Sequence, residues 1–240
     1  QSICDKKGLK NQIFTFQPHV IVNFAAESHV DNSITGPDVF INTNIVGTFN
    51  LLEICKDYYE NKSKDILLLH VSTDEVYGHL GKEGKFKETT PYDPRSPYSA
   101  SKASSDHLVM AYYHTYGLPV KITNCSNNYG PWQNKEKLIP KIISNVLEGK
   151  DIPIYGKGQN IRDWLYVEDH CKAIELVINR GDIGEKYNIG GDCELTNLQV
   201  VEKILKAMDY KGPNLIKYVK DRLGHDFRYA IDHSKITKKL

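Results

Sequence analysis

Ser72-Thr73-Asp74-Glu75-Val76-Tyr77-Gly78 and, after a polar loop, Tyr98-Ser99-Ala100-Ser101-Lys102 are the two stretches that decide the fold. The first follows an apolar run, Ile66-Leu67-Leu68-Leu69-His70-Val71, which reads as a buried parallel strand. A hydroxyl and two adjacent carboxylates therefore sit where a strand ends, the place at which open α/β sheets bind ligands. The second stretch opens a helical run over 99–116, so Tyr98 and Lys102 fall one turn apart on one face. An ammonium beside a phenol favours the phenolate, so this spacing predicts a lowered pKa for Tyr98 and a general base near neutral pH. A base, two carboxyl groups and a hydroxyl suffice for an oxidation coupled to an elimination.

Working outward, residues 20–24 form a short apolar strand after Pro18, ending in Ala25-Ala26-Glu27-Ser28-His29. Residues 38–59 carry helical spacing through Phe40, Ile41, Ile45, Phe49, Leu52 and Cys55. Gly117 and Pro119 close the helix that begins at Ser99. Residues 120–125 are a third strand. Alternation of strands and helices with apolar strands implies an α/β fold: a parallel sheet with helices on both faces. Past Pro131 the pattern changes to helix 138–147, strand 153–155, extended 162–167, helix 168–178, strand 186–189 and a helix capped by Thr196. We read residues 1–124 as one unit and 125–240 as mainly a smaller α/β lobe, with some segments, the 138–147 helix first among them, returning to the sheet.

The 240 residues carry 31 Lys and Arg against 30 Asp and Glu, a formal charge of +1, with no basic stripe that would suit a nucleic acid. Apolar runs are too short to span a bilayer. The five cysteines are scattered and odd in number, without a Cys-x-x-Cys pair, which argues for free thiols in a cytoplasmic protein and against a disulfide framework or zinc site. No metal-ligand spacing links the histidines. The chain opens on Gln1 without a strand and glycine-rich turn, so it reads as a piece of a longer polypeptide.

Tyr-x-x-x-Lys alone is a weak signal, because Tyr58 and Lys62 repeat it late in a helix with no strand-end hydroxyl before them. Alone, Asp74 and Glu75 would read as a solvated or helix-capping pair. The order strand, Ser-Thr, loop, Tyr-x-x-x-Lys, helix is specific. Around it stand Ala25 to Asp31, Asn44-Ile45-Val46-Gly47-Thr48, Asn124 to Pro131, Lys137-Leu138-Ile139-Pro140, Arg162 to Val167 and Asp221-Arg222-Leu223-Gly224-His225. Taken together and in this order, these blocks resemble the extended short-chain dehydrogenase/reductases, and within them the nucleotide-sugar 4,6-dehydratases. Thr73-Asp74-Glu75 is most similar to the group acting on dTDP-glucose, whereas GDP-mannose dehydratases look like Thr-Ser-Glu.

The resemblance implies a Rossmann-like NAD-binding domain lacking its first strands, a nucleotide-sugar-binding lobe, and a homodimer through helices 38–59 and 99–116. It implies that Tyr98 and Lys102 with Thr73 serve oxidation at C4, Glu75 removes the C5 proton, and Asp74 protonates the departing 6-hydroxyl. NAD would lie along Ile3, Phe24, Ala25, Ala26, Glu27, Ser28 and Thr43, with Tyr98, Lys102 and Asn128 at its nicotinamide end. Substrate would meet Ser28, Thr73, Asn127, Lys137, Leu138, Pro153, Ile154, Tyr155, Arg162, Asn197, Asp221, Arg222 and His225. Arg162 suits a phosphate bidentately, and Tyr155 can stack on a base. The chain departs from the family pattern at Ser2, where an Asp is usual, and at Leu223, where a Pro is usual. A UDP-glucose substrate, or an inactive sugar-nucleotide-binding fragment, remains open at this stage.

Overall fold

The computed structural model describes residues 2–240. Its central sheet has four parallel strands in the order β1 (Val20–Asn23), β2 (Leu67–Thr73), β3 (Val120–Cys125) and, the seventh strand of the chain, β7 (Lys186–Ile189). The register pairs Asn23 with His70, Ser72 with Asn124, and Cys125 with Ile189, so the carboxyl ends of the strands line up along one edge. Successive residues of a strand face opposite sides. Leu68 therefore joins the core with Leu52, Cys55, Val109 and Ile122 on one face, while Leu69 joins Ile174, Val177 and Tyr187 on the other. Each such wholly buried aliphatic side chain contributes about 1.5–3 kcal/mol.

The first face is covered by α1 (Lys6–Phe16), α4 (Thr48–Asn61) and α5 (Pro97–Tyr116). Two short helices, α2 (Val30–Thr35) and α3 (Asp38–Phe40), follow β1. The helical spacing read over 38–59 is broken in the structure by a π-helical stretch, Ile41–Gly47, between α3 and α4. Its wider turn brings Gly47 against Ile3, where a β-carbon would lie 2.6 Å from that side chain. The other face carries α7 (Val167–Arg180) and α9 (Ser234–Lys239).

The second lobe is assembled from β4 (Asn127–Tyr129), α6 (Leu138–Leu147), β5 (Ile152–Tyr155), β6 (Ile161–Tyr166), β8 (Glu194–Thr196), α8 (Asn197–Ala207) and β9 (Ile216–Val219). Its core joins Ile142, Ile154, Trp164 and Val201. The 138–147 helix, expected on the sheet, packs here against α8 and β5; α7, β7 and α9 return to the first unit. β6 lies parallel to β4 and antiparallel to β8, and β5 pairs with β9. No helix among the described residues is long and apolar enough to cross a membrane.

Candidate active site

Local structure explains why Tyr98 stands where it does. Ser96 accepts from the Ser99 backbone N–H at 3.1 Å, the Ser99 hydroxyl accepts from the Ser96 N–H at 2.9 Å, and Pro97 takes the first helical position. This reciprocal cap fixes the start of α5. It leaves Tyr98 in the first turn and Lys102 one turn on, both buried, with the edge of Phe40 against the Tyr98 ring at 6.3 Å.

Thr73 ends β2 and caps a 3-10 turn, Asp74–Tyr77. Its hydroxyl accepts from the Glu75 N–H and donates to Asp74 Oδ1, both at 3.3 Å, and it lies close to the Tyr98 phenol. One hydroxyl thus gathers the phenol and the acidic pair. Asp74 is 2% exposed, and its Oδ2 has no hydrogen-bond partner among the described residues. Burial, then the neighbouring Glu75 charge, holds the Asp74 carboxyl well above the usual carboxylate range. Burial also raises Glu75, but Arg162, Arg222 and Lys137 pull it back toward the charged form. Two adjacent carboxyls with unequal surroundings favour one proton on Asp74 and a charge on Glu75.

The lowered Tyr98 pKa expected from the sequence is not found. Burial, then the Glu75 charge, pushes the phenol well above its ordinary value, with Thr73 partly opposing. Lys102 Nζ donates to the Val71 carbonyl at 2.9 Å and lies 3.5 Å from His70 Nε2, so it is held behind the strand end.

A cleft of about 220 Å³ opens beside Glu75 between the two lobes. Ser28, Asn127, Lys137, Leu138, Pro153, Ile154, Tyr155, Arg162, Asn197, Arg222 and His225 line it. Arg162 is 7% exposed; it donates to the carbonyls of Ile161 at 2.7 Å and Asp226 at 3.1 Å, and stacks on the Tyr229 ring at 4.3 Å. Its plane is thereby set before any ligand arrives. Lys137 donates to the Ser28 carbonyl at 2.7 Å. Of the expected substrate residues, Thr73 and Asp221 lie outside the lining. Asp221 accepts from His225 Nδ1 at 2.6 Å and orients that ring; it sits close to Gly156, whose φ of +55° and lack of a β-carbon let the two meet. Tyr155 donates to Asp31 at 3.0 Å and sets its ring edge-on to His225 at 6.1 Å.

The expected cofactor residues lie along the carboxyl ends of β1 to β3. Phe24, Ala25, Glu27 and Ser28 are exposed there, Ala26, Thr43 and Asn128 half-buried, and Ile3 packs at the Gly47 turn. Asn44 pins this loop by accepting from the Glu27 N–H at 2.8 Å and donating to its carbonyl at 3.0 Å. An exposed Phe24 with no apolar cover and two small alanines at a strand end fit a flat, extended dinucleotide, and the Lys102 ammonium has hydrogens left to offer a ribose.

Sequence reasoning missed Asp31, His29, Glu136, Trp164 and Tyr229 in the lining, and Asp106 beneath it. Asp106 carried a usable signal, since Tyr98, Lys102 and Asp106 repeat at four-residue spacing on one helix face. Tyr229 carried none. Among the described residues no group of three or more His, Cys, Asp or Glu gathers to hold a metal ion.

The profile of the family described as GDP-mannose 4,6 dehydratase matches residues 1–240. A probable dTDP-glucose 4,6-dehydratase of Sinorhizobium fredii is 54% identical over 248 residues, covering 99% of this chain and 71% of the relative. A dTDP-glucose 4,6-dehydratase of Xanthomonas campestris is 56% identical over 236 residues, covering 93% and 67%. The crystal structure of DesIV, a dTDP-glucose 4,6-dehydratase of Streptomyces venezuelae with NAD and dTDP bound, superposes with a TM-score of 0.94 at 45% identity, covering all of this chain and 72% of that one. A match running from the first residue to the last, with relatives more than half identical, leaves one conclusion: the chain belongs to the GDP-mannose 4,6 dehydratase family, within the extended short-chain dehydrogenase/reductases.

Proposed function

We propose that this chain provides the site for NAD-dependent dehydration of dTDP-glucose to dTDP-4-keto-6-deoxyglucose. The observation that carries the reading is the acidic pair Asp74 and Glu75 gathered with Tyr98 around the Thr73 hydroxyl, at the mouth of a cleft lined by Arg162, Arg222 and Lys137. Bound NAD would supply a hydride acceptor for C4 and a hydride donor for C6; Phe24 to Ser28, Thr43, Asn128, Lys102 and Tyr98 would hold it.

The protein's own groups do the rest. Arg162, already planar and locked, takes the diphosphate through paired N–H donors, with Arg222 and Lys137 beside it. Tyr98 takes the proton from the 4-hydroxyl as Thr73 holds the same oxygen; the phenolate this needs, which burial opposes, would be favoured by Lys102 and by the positive charge of bound NAD. The resulting ketone acidifies C5, and Glu75, the acid of the pair with cations around it, removes that proton. Asp74, which burial keeps protonated, donates to the departing 6-hydroxyl so that water leaves. The cleft walls at Pro153 to Tyr155 and Asn197 take the nucleoside.

The exposed apolar residues Val39, Ile41, Val46, Phe49 and Tyr116 on the helices of 38–61 and 97–116 support a homodimer through that face. Five unpaired thiols support a cytoplasmic setting. The test is incubation with NAD and either dTDP-glucose or UDP-glucose, following by mass the product lighter by one water. Faster dehydration of dTDP-glucose is expected. Faster turnover of UDP-glucose would reassign the substrate, and oxidation without loss of water would remove the dehydratase reading.

A further inference from the structure

Behind Lys102 lies a buried cluster that the reaction above does not use. His70, on β2, and Asp106, on α5, are each 1% exposed. Lys102 Nζ and Asp106 Oδ1 both lie 3.5 Å from His70 Nε2, so the ammonium and the carboxylate are no more than about 7 Å apart.

The protonation of each member follows from its partners. The Ala25 N–H donates to Asn23 Oδ1 at 3.2 Å, which fixes the orientation of that amide. Asn23 Nδ2 then faces His70 Nδ1 at 3.1 Å and donates to it. The imidazole must therefore carry its proton on Nε2. Burial, then the Lys102 charge, drives His70 well below its ordinary pKa, so the ring is neutral. Nε2 has a hydrogen of its own and cannot accept from Lys102. Asp106 Oδ1, which has no hydrogen-bond partner among the described residues, is the carboxylate oxygen that faces Nε2 at 3.5 Å. Asp106 Oδ2 accepts from the Ser72 hydroxyl at 2.9 Å, the Tyr92 phenol at 2.8 Å and the Asn124 amide at 3.3 Å. Burial raises the Asp106 carboxyl above its ordinary value, and Lys102 with these three donors pulls it back toward the anion.

We propose that Asp106 is a positioning residue: it is the counter-charge that, across the neutral ring of His70, keeps the buried Lys102 ammonium charged beside Tyr98. The inference rests on the proposed role of Lys102 in C4 oxidation. Among the described residues no carboxylate hydrogen-bonds Lys102 directly; its ammonium donates to the Val71 carbonyl and lies beside the His70 ring. Burial lowers the Lys102 pKa, and Asp106 is the first charge opposing that. Cys125 on β3 also faces Lys102, and Tyr98 lies one turn before it. Asp106 is faced by Lys186 from β7, by Tyr77 from the 3-10 turn and by Tyr92 from the loop before α5. The spacing through the ring has a consequence for geometry. A carboxylate in direct contact would hold the ammonium's hydrogens, whereas this arrangement supplies the charge and leaves them free for the site.

The test reads Lys102 without turnover. Its side-chain carbon-13 resonance next to the nitrogen, assigned by its loss in Lys102→Met, is followed against pH in the wild-type protein, in Asp106→Asn and in Tyr92→Phe. The wild type is expected to hold the charged form through pH 7 and above. Asp106→Asn should bring the titration down by about one to two pH units, the effect of one charge at this range. Tyr92→Phe, which removes a donor but keeps the charge, should leave it within a few tenths of a unit. An unshifted midpoint in Asp106→Asn overturns the proposal. So does a neutral Lys102 at pH 7 in the wild type, a result that needs no variant to fold. If the shift appears but no sugar nucleotide is dehydrated, the proposed function falls and the counter-charge stands.

Discussion

Replacing Glu75 by Gln should drive the two halves of the proposed reaction in opposite directions. Loss of a positioned general base costs on the order of 10²–10⁴-fold in the proton transfer it serves, about 3–5 kcal/mol, so elimination should slow by about a thousandfold. The same charge is the largest influence after burial holding Tyr98 above its ordinary pKa. A unit charge at ~7 Å and an effective dielectric of ~20 moves a neighbour by about 1.7 pH units. The cleft beside Glu75 is open to water, which reduces this to about one unit. The sign follows from the anion: removing a negative neighbour favours the phenolate, so the Tyr98 pKa falls. The ascending limb of C4 oxidation should then move to lower pH, while formation of dehydrated product nearly stops. Stopped-flow absorbance of NADH reads the first step, and product mass reads the second. Product formation within tenfold of the wild type, or a limb displaced upward, refutes the assignment.

Four other outcomes are expected. Arg162→Lys should raise KM about tenfold or more with a smaller change in kcat, because one ammonium cannot replace a two-pronged donor already set by two carbonyls and a ring; steady-state kinetics decides. Asn44→Ala removes bonds to both backbone groups of Glu27 and one of 2.8 Å to the Ser101 hydroxyl, and should cost about 2–3 kcal/mol in urea unfolding. Iodoacetamide at neutral pH should label Cys4, Cys171 and Cys193 and spare Cys55 and Cys125, whose thiols burial pushes up to about 12; intact mass counts the labels. His170, which donates through Nδ1 to Asn128 at 2.8 Å, is lowered by burial to about 4. The fold holds this ring neutral, so its contribution is whole above the unfolded value of 6.5 and is lost as pH falls toward 4, by up to about 3 kcal/mol. His170→Gln should flatten that part of the stability profile measured by denaturant midpoints.

The sheet was legible because β2 opens on an unbroken apolar run, Val120 and Ile122 of β3 follow the Gly117 and Pro119 that close a helix, and both strands end in polar clusters. The placing of Tyr98 and Lys102 one turn apart was legible in their spacing, whereas the Ser96 cap that fixes the start of α5 came from the structure. Several features were not. The π-helical stretch at Ile41–Gly47 keeps the apolar spacing of an ordinary helix, so only the backbone reveals it. The 138–147 helix shows one apolar stripe, and a stripe does not say which sheet it will cover; Ile142 and Val146 found β5 and α8. The Tyr98 pKa went the other way because spacing along a helix reports direction and not depth. Lys102 is tied back to Val71, while Glu75 comes close from another element. Tyr229 reaches the cleft from near the end of the chain, by a return that no local pattern foretells.

The central sheet takes its fourth strand from beyond the insertion of most of the second lobe: β7 lines up on β3 only after α6, β5, β6 and α7 have intervened. A ribosome must therefore release β1 to β3 with the β3 edge unpaired and wait for some sixty further residues before β7 can cover it. During that interval β3 presents unpaired amides to any other strand. A cut in the second lobe would leave two pieces interlocked through β7 rather than two separable bodies.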